Sequence, residues 1–438
     1  MSVLSPERWR ATVDEASRQR VSLTRALAEH AGELVRAGEA VAQRFSRGGK
    51  LIAFGNGPSA TDAQHIAVEF LHPVIVGKPA LPALSLSDDF ALLTDVRMRR
   101  DLSEEFADSL EREALPNDIA LGVSATGHCP NVLRALERAH ERGLLTLALT
   151  GGDGGEIGKS PAVRHGFRSR GEDPRSVKED HVPLYHMLWE VVHVLLEQRA
   201  VPRGTLGPER AIPGPARTHV PAEGLYPFLN SNPPKPRPVE DLRLSILAKT
   251  KEIAELRALV LEQQSERLVA CAGALARSFA QGGRLFTFGN GGSSTDAHAL
   301  ALLFSRPEVG RATPAYSLTS DAAVLTALAN DVGIAVVFAR QIAALGRPND
   351  VALGISTSGG SENVLRGFEE AHRCGLLCVG IAGYDGGRMA ESEALDFLLT
   401  VPSTSVHRIQ EAQTTLYQVL FELTQGMLEE RGSLPCAS

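Results

Sequence analysis

Residues 48–63 read GGKLIAFGNGPSATDA, and residues 282–297 read GGRLFTFGNGGSSTDA. Eleven of the sixteen aligned positions are identical. Each stretch is a short apolar run, a Gly-rich turn and the start of an amphipathic run, which reads as strand, turn, helix. The match continues in order along the chain. DIALGVSATGHCPNVLRALERAHERGLL from Asp118 aligns with DVALGISTSGGSENVLRGFEEAHRCGLL from Asp350, and TGGDGG at Thr150 aligns with AGYDGG at Ala382. The 438-residue chain is therefore an internal duplication of one unit, which implies two domains rather than a solenoid.

Within each copy the apolar runs lack polar alternation, as expected of strands buried on both faces. They fall at Leu51–Phe54, Ile119–Val123 and Leu144–Leu149, then at Leu285–Phe288, Val351–Ile355 and Leu376–Ile381. Ser22–Phe45 and Leu242–Phe279 carry helical periodicity. Strand–turn–helix repeats of this kind predict an α/β fold with a parallel sheet covered on both faces. We place the first domain at 1–200 and the second at 239–438. A Pro- and Gly-rich linker spans 201–238, and its apolar LYPFL segment is either docked or a free tether.

Composition excludes several classes. Hydrophobic residues are 43% and charged residues 22%, which is ordinary for a globular protein. A net charge of -7 argues against nucleic acid or an anionic membrane as partner. No apolar stretch is long enough to span a bilayer. The opening MSVLSPERWR lacks a secretory h-region, and the five cysteines form no C-x-x-C, so we expect a cytoplasmic protein with reduced thiols.

Two turns per copy follow strand ends, where open α/β sheets bind ligands. The first contains Asn56 and Ser59 in copy one, and Asn290 and Ser293 in copy two. The second contains Ser124 and Thr126 in copy one, and Ser356, Thr357, Ser358 and Ser361 in copy two. Glycines allow close approach, and hydroxyls and helix N-termini supply donors, which together suit a phosphate monoester. A single turn of this type reads more readily as helix capping; two at adjacent strand ends, repeated in both copies, favour phosphate. Neither turn matches a Walker loop or a dinucleotide fingerprint.

FGNGGSSTDAHALALLF, SLTSDAAVLTALANDVG, GISTSGGSENVLRGFEEAH and VPSTSVHRIQEAQTTLYQVLFEL resemble the SIS (sugar isomerase) domain, and within it the phosphoheptose isomerase branch. The resemblance covers both copies. It implies a five-stranded parallel sheet per copy in a three-layer α/β/α sandwich. It also implies isomerisation of D-sedoheptulose 7-phosphate to D-glycero-D-manno-heptose 7-phosphate, at sites between subunits.

An aldose–ketose shift needs a base for a carbon-bound proton and a group to manage the oxygens. His65 and Glu69 lie four apart on one helical face, a spacing that alone also fits a surface ion pair. The resemblance assigns Glu69 as base and His186 as acid, and in metal-containing members the matching His, Glu, Gln and His bind zinc. His65, Glu69 and His186 are thus candidate ligands. Lys178 stands at the Gln position, where a protonated ammonium offers no lone pair, and this counts against zinc; Lys178 is instead a candidate for steadying an oxyanion. Pro183 is expected to set the start of the last helix, with His181 and His193 on its surface or in the core.

Copy two reverses the pattern. Ala299, Leu303 and Gln418 replace the His, Glu and His, while Gln410, the Asn330–Asp331 pair and the fuller serine turn remain. Copy one has Ala125, Cys129, Pro58 and the Met98–Arg99 pair at the equivalent places. The two halves are expected to compose one site. The chain is expected to form a pseudo-dimer that pairs with a second chain into a pseudo-tetramer, with a sugar phosphate as substrate. The alternative is a non-catalytic sugar-phosphate sensor or scaffold; a glucosamine-6-phosphate synthase half is disfavoured, because no amidotransferase domain opens the chain.

Overall fold

The computed structural model describes residues 6–75, 77–88, 91, 102–198 and 239–432. The linker with its LYPFL segment and the Met98–Arg99 pair lie outside these residues.

Copy one runs α1 (Pro6–Ala26), a 3-10 turn (Leu27–His30), α2 (Ala31–Ser46), β1 (Leu51–Gly55), α3 (Pro58–Leu71) and β2 (Ala83–Ser85). It continues through α4 (Glu105–Glu113), β3 (Ile119–Ser124), α5 (Pro130–Glu141), β4 (Leu145–Thr150), α6 (Gly155–Lys159), β5 (His165–Arg168) and α7 (Pro174–Gln198). Copy two runs α8 (Val239–Ala280), β6 (Leu285–Phe288), α9 (Gly292–Ser305), β7 (Ala315–Ser317), α10 (Ala322–Asp331) and α11 (Val337–Leu345). It ends with β8 (Val351–Ser356), α12 (Glu362–Arg373), β9 (Leu377–Gly383), β10 (Phe397–Val401) and α13 (Val406–Gly432).

Each copy forms a five-stranded sheet, in the orders β2-β1-β3-β4-β5 and β7-β6-β8-β9-β10. All pairings are parallel. The apolar runs occupy the central strands, where every residue of β1, β3, β4, β6 and β8 is buried. The short strands β2 and β7 are only partly buried, so they carry no continuous apolar run. In both sheets the chain reverses direction of growth between the first strand and the third, which opens a crevice at their carboxyl ends.

Two expectations about helices are corrected. Ser22–Phe45 is not one helix, because the 3-10 turn at Leu27–His30 breaks it. The last helix of copy one starts at Pro174 and runs through Pro183. Pro183 cannot donate to the Glu179 carbonyl one turn back. That carbonyl accepts instead from the Arg257 guanidinium of α8, so the break in the ladder is repaired from the other copy.

The copies exchange helices. Trp9 and Val13 of α1 join the core of copy two, whereas Leu242 and Ile246 of α8 join that of copy one. Each fully buried aliphatic side chain contributes roughly 1.5–3 kcal/mol, so these contacts fasten one copy to the other. A buried charge cluster reinforces them: Arg20 bonds to Glu179 at 2.8 Å and to Glu422 at 2.7 Å, and Arg257 lies 3.5 Å from Asp180.

Candidate active site between the two copies

Both Gly-rich turns sit at the crevice. Gly57 and Gly291 adopt φ of 54° and 55°, conformations that favour glycine, and turn the chain directly into α3 and α9. Asn56 and Asn131 exchange side-chain hydrogen bonds of 2.8 and 2.9 Å across the crevice of copy one. Asn290 and Asn363 do the same at 2.9 Å in copy two. The two predicted asparagines therefore clamp one turn to the next, each in its own copy.

The hydroxyls differ between copies. In copy one Ser124 Oγ accepts from the Gly127 amide and donates to Cys129 Sγ at 3.2 Å, Thr126 is exposed, and Ser59 is buried. In copy two Ser356 Oγ and Ser361 Oγ are 3.2 Å apart, Thr357 and Ser361 are half-buried, Ser358 is exposed, and Ser293 is buried. Asp331 ends α10 on an exposed face, where its Oδ1 accepts from Asn330.

His65, Glu69 and His186 are brought together by α3 and α7, with donor atoms all within 4.8 Å of one another and all three side chains buried. This disposes of the surface ion-pair reading of His65 and Glu69. Copy two then contacts each of the three. Thr295 Oγ1, which donates to the Gly292 carbonyl at 2.7 Å, lies 3.1 Å from His65 Nδ1. Its lone pair accepts the Nδ1 proton, so His65 Nε2 is left bare, 3.4 Å from Gln410 Nε2 and 3.5 Å from Glu69 Oε1. His186 Nδ1 donates to Glu411 Oε1 at 2.9 Å, and Arg408 holds the same carboxylate at 2.7 Å. His407 Nε2 lies 3.2 Å from Glu69 Oε2. Glu411, His407, Arg408 and Thr295 were not among the expected site residues. The stretch RIQE at 408–411, which holds Gln410, was the signal for Arg408 and Glu411; nothing in the sequence marked His407.

Lys178 is elsewhere. Its Nζ contacts Asp62, Thr61 Oγ1 at 3.0 Å and the Pro58 carbonyl at 3.4 Å, all within the turn of its own copy. The amide that meets His65 is Gln410, from the other copy's last helix. Lys178 was expected at the place of the ligand amide; the structure sets it against Asp62 instead and puts Gln410 beside His65. His181 and His193 are core residues.

The electrostatics follow from burial and partners. Burial alone would raise the Glu69 carboxyl, but the His407 imidazole on its Oε2 leads the groups that hold it well below the usual carboxylate range. Burial and the neighbouring His407 push His186 down to about 3, against the pull of Glu411. At neutral pH the cluster is thus an ionised carboxylate beside an imidazole whose Nε2 is bare, buried and without a hydrogen-bond partner.

These residues fit a borderline divalent cation such as zinc. The lone pairs of His65 and His186 and the Glu69 carboxylate form an N, N, O set, and Gln410, whose side chain meets His65, carries a buried Oε1 without a partner as a candidate fourth ligand. Thr295 and Glu411 orient the two imidazoles through their other nitrogens, as metal-binding histidines require. The backbone also leaves room: a Cβ on Gly292 would stand 2.3 Å from Gln410 Nε2 and 2.8 Å from His65 Nε2. Copy one has Pro58 at the equivalent position.

The neighbouring turn is linked to this cluster. Gln413, one helical turn beyond Gln410, donates to the carbonyls of Ser356 and Ile381 at 3.4 Å. The serine turn of copy two and the acid–base groups of copy one therefore share the first turns of α13.

A duplicated parallel sheet, with Gly-rich turns at the reversal of strand order and a buried His–Glu–His cluster between the copies, defines an α/β fold with one crevice shared by its two halves. The SIS domain model matches residues 16–151 and 250–383, and the chain belongs to the SIS-domain family. The matched regions stop short of α7 and α13, which carry His186 and Gln410. The phosphoheptose isomerase of Aquifex aeolicus is 43% identical over 183 residues, covering 41% of this chain and 95% of that protein. Two solved structures share the tandem fold at low identity. The C-terminal domain of glucosamine-fructose-6-phosphate aminotransferase from Francisella tularensis has a TM-score of 0.57 at 10% identity, over 94% of this chain and 95% of that one. Tagatose-6-phosphate ketose/aldose isomerase from Escherichia coli has a TM-score of 0.56 at 13% identity, over 99% and 97%.

Proposed function

We propose that the chain is a sugar-phosphate aldose–ketose isomerase that converts D-sedoheptulose 7-phosphate to D-glycero-D-manno-heptose 7-phosphate through a cis-enediol. The observation that carries this reading is the buried His65–Glu69–His186 cluster of copy one, closed by Gln410 of copy two beside the Ser356–Ser361 turn. The phosphate is bound by that turn, where hydroxyls and the amides opening α12 supply donors. The copy-one turn, with Ser124 committed to Cys129, is the weaker cradle.

Glu69 is ionised and desolvated, so it can lift the C1 proton and return it to C2. The bare Nε2 of His186 takes the proton of the C1 hydroxyl and hands it to the former carbonyl oxygen; Glu411 and Arg408 hold the ring for this transfer. A divalent cation held by His65, Glu69, His186 and Gln410 would occupy that same His186 lone pair, and in that state it would stabilise the negative charge developing on the two sugar oxygens in place of the imidazole. The cluster is closed to solvent, so substrate entry requires it to open toward the serine turn.

Two chains are proposed to pair through copy two. α10 buries none of its residues, and Val324, Val332 and Ile334 are exposed there although apolar. Asp331 ends this face, where a second chain could receive it. Among the described residues no helix is long and apolar enough to cross a membrane, and a cytoplasmic location remains part of the proposal.

The test is incubation with sedoheptulose 7-phosphate in deuterated water, followed by NMR. Deuterium incorporation at C2 with aldose formation supports the reading. Binding with no exchange favours the sensor alternative.

A further inference from the structure

We infer that His407 of copy two is a positioning residue for the Glu69 base, an assignment that rests on the reading of Glu69 given above. His407 Nε2 lies 3.2 Å from Glu69 Oε2 and donates to it, which leaves Oε1 as the oxygen facing His65 and the reacting centre. The ring cannot turn away. It is stacked on His186 with centroids 4.3 Å apart at 19°, and meets Trp189 edge-on at 5.0 Å. Trp189 Nε1 in turn donates to the Glu69 carbonyl at 2.8 Å, so one indole fixes both the backbone of the base and the imidazole on its side chain.

A histidine held only for packing would bond to a backbone carbonyl, as His193 does to Trp189 and Pro79. His407 spends its proton on the carboxylate instead. The equivalent residue of copy one, Arg175, bonds to Asp173 at 3.0 Å and lies 3.6 Å from Glu422 of copy two, away from the Glu69 cluster. Only the copy that lacks a base supplies this donor, and it supplies it to the copy that has one. The donated bond selects one carboxylate oxygen and one rotamer, which is the kind of alignment whose loss costs up to about 100-fold in rate.

Two measurements test this. His407→Phe keeps the stacked ring and removes the donor, and His407→Gln restores a donor. The expected result is a 10- to 100-fold fall in kcat for His407→Phe with KM within about twofold, and recovery of most of that loss in His407→Gln. An unchanged kcat, or a change confined to KM, overturns the assignment. The second readout needs no turnover. In the full chain labelled with 15N-histidine, His407 is expected to carry its proton on Nε2, and its signal is expected to move in Glu69→Gln. A His407 signal indifferent to Glu69→Gln overturns the assignment even if the substrate proves to be a different sugar. A signal that moves in a chain without isomerase activity sinks the activity and leaves the contact standing.

Discussion

The last helices of the two copies, Pro174–Gln198 and Val406–Gly432, come from the same repeat and serve one site from opposite sides. α7 brings His186, the proposed proton shuttle. α13 brings the groups that hold others in place: Gln410 on His65, Glu411 on His186 and His407 on Glu69. At the equivalent of Gln410, α7 has Lys178, whose charge is spent on Asp62. The difference teaches that a copy lacking the His, Glu and His can still hold a site, by contacting the three that the other copy has.

The largest effect is expected at the base. Glu69→Gln should slow isomerisation by about 100- to 10,000-fold, whereas Leu303→Ala, at the matching position of copy two, should leave the rate within about twofold. Equal losses in the two variants, measured by the same NMR exchange assay, would abolish the distinction between the copies.

Next is the joint between them. Arg257 is fully buried and reaches Thr24, the Glu179 carbonyl and Asp180. Arg257→Met removes the cation from a buried charge cluster and leaves the carbonyl freed by Pro183 unpaired. A loss of about 3–5 kcal/mol is expected in urea unfolding. A loss under about 1 kcal/mol would show that the exchanged helices alone hold the copies together.

The smallest effect is pH-dependent and sits beside that joint. Burial raises Asp180 to about 6, with Arg257 opposing and Ser169 donating to it at 2.7 Å. An unfolded aspartate titrates near 3.9. Between those values the folded chain holds the extra proton, so this contribution is full below the lower one and is lost as pH rises through about 6. Asp180→Asn removes the titration. Relative to that variant, the unfolding free energy of the native chain should fall by roughly 2–3 kcal/mol from pH 4 to pH 7. Parallel pH profiles for the two proteins would contradict the assignment of a buried, proton-holding Asp180.

The fold was legible because it rests on local chemistry written twice. The apolar runs at Leu51, Ile119, Leu285 and Val351 have no reason to avoid polar residues unless both faces are covered. The edge strands Ala83–Ser85 and His165–Arg168 were not legible, since they are short and carry half-exposed or alternating residues. His65, Glu69 and His186 were found from resemblance to relatives and a helical spacing. Gln410 was noticed, but the helix it had to reach was invisible, because which copy a helix serves is decided by packing between elements more than three hundred residues apart in sequence. The same blindness hid the contact of Lys178 with Asp62 and let Pro183 stand as a helix start, because the donor that Arg257 supplies comes from the other copy.

The most direct test is the rate of solvent deuterium incorporation into sedoheptulose 7-phosphate by Gln410→Ala beside the native chain, with thermal unfolding confirming that both are folded. A fall of tenfold or more, from a residue in the copy without a base, is the predicted result. A folded Gln410→Ala that exchanges as fast as the native chain would contradict a site shared between the two copies.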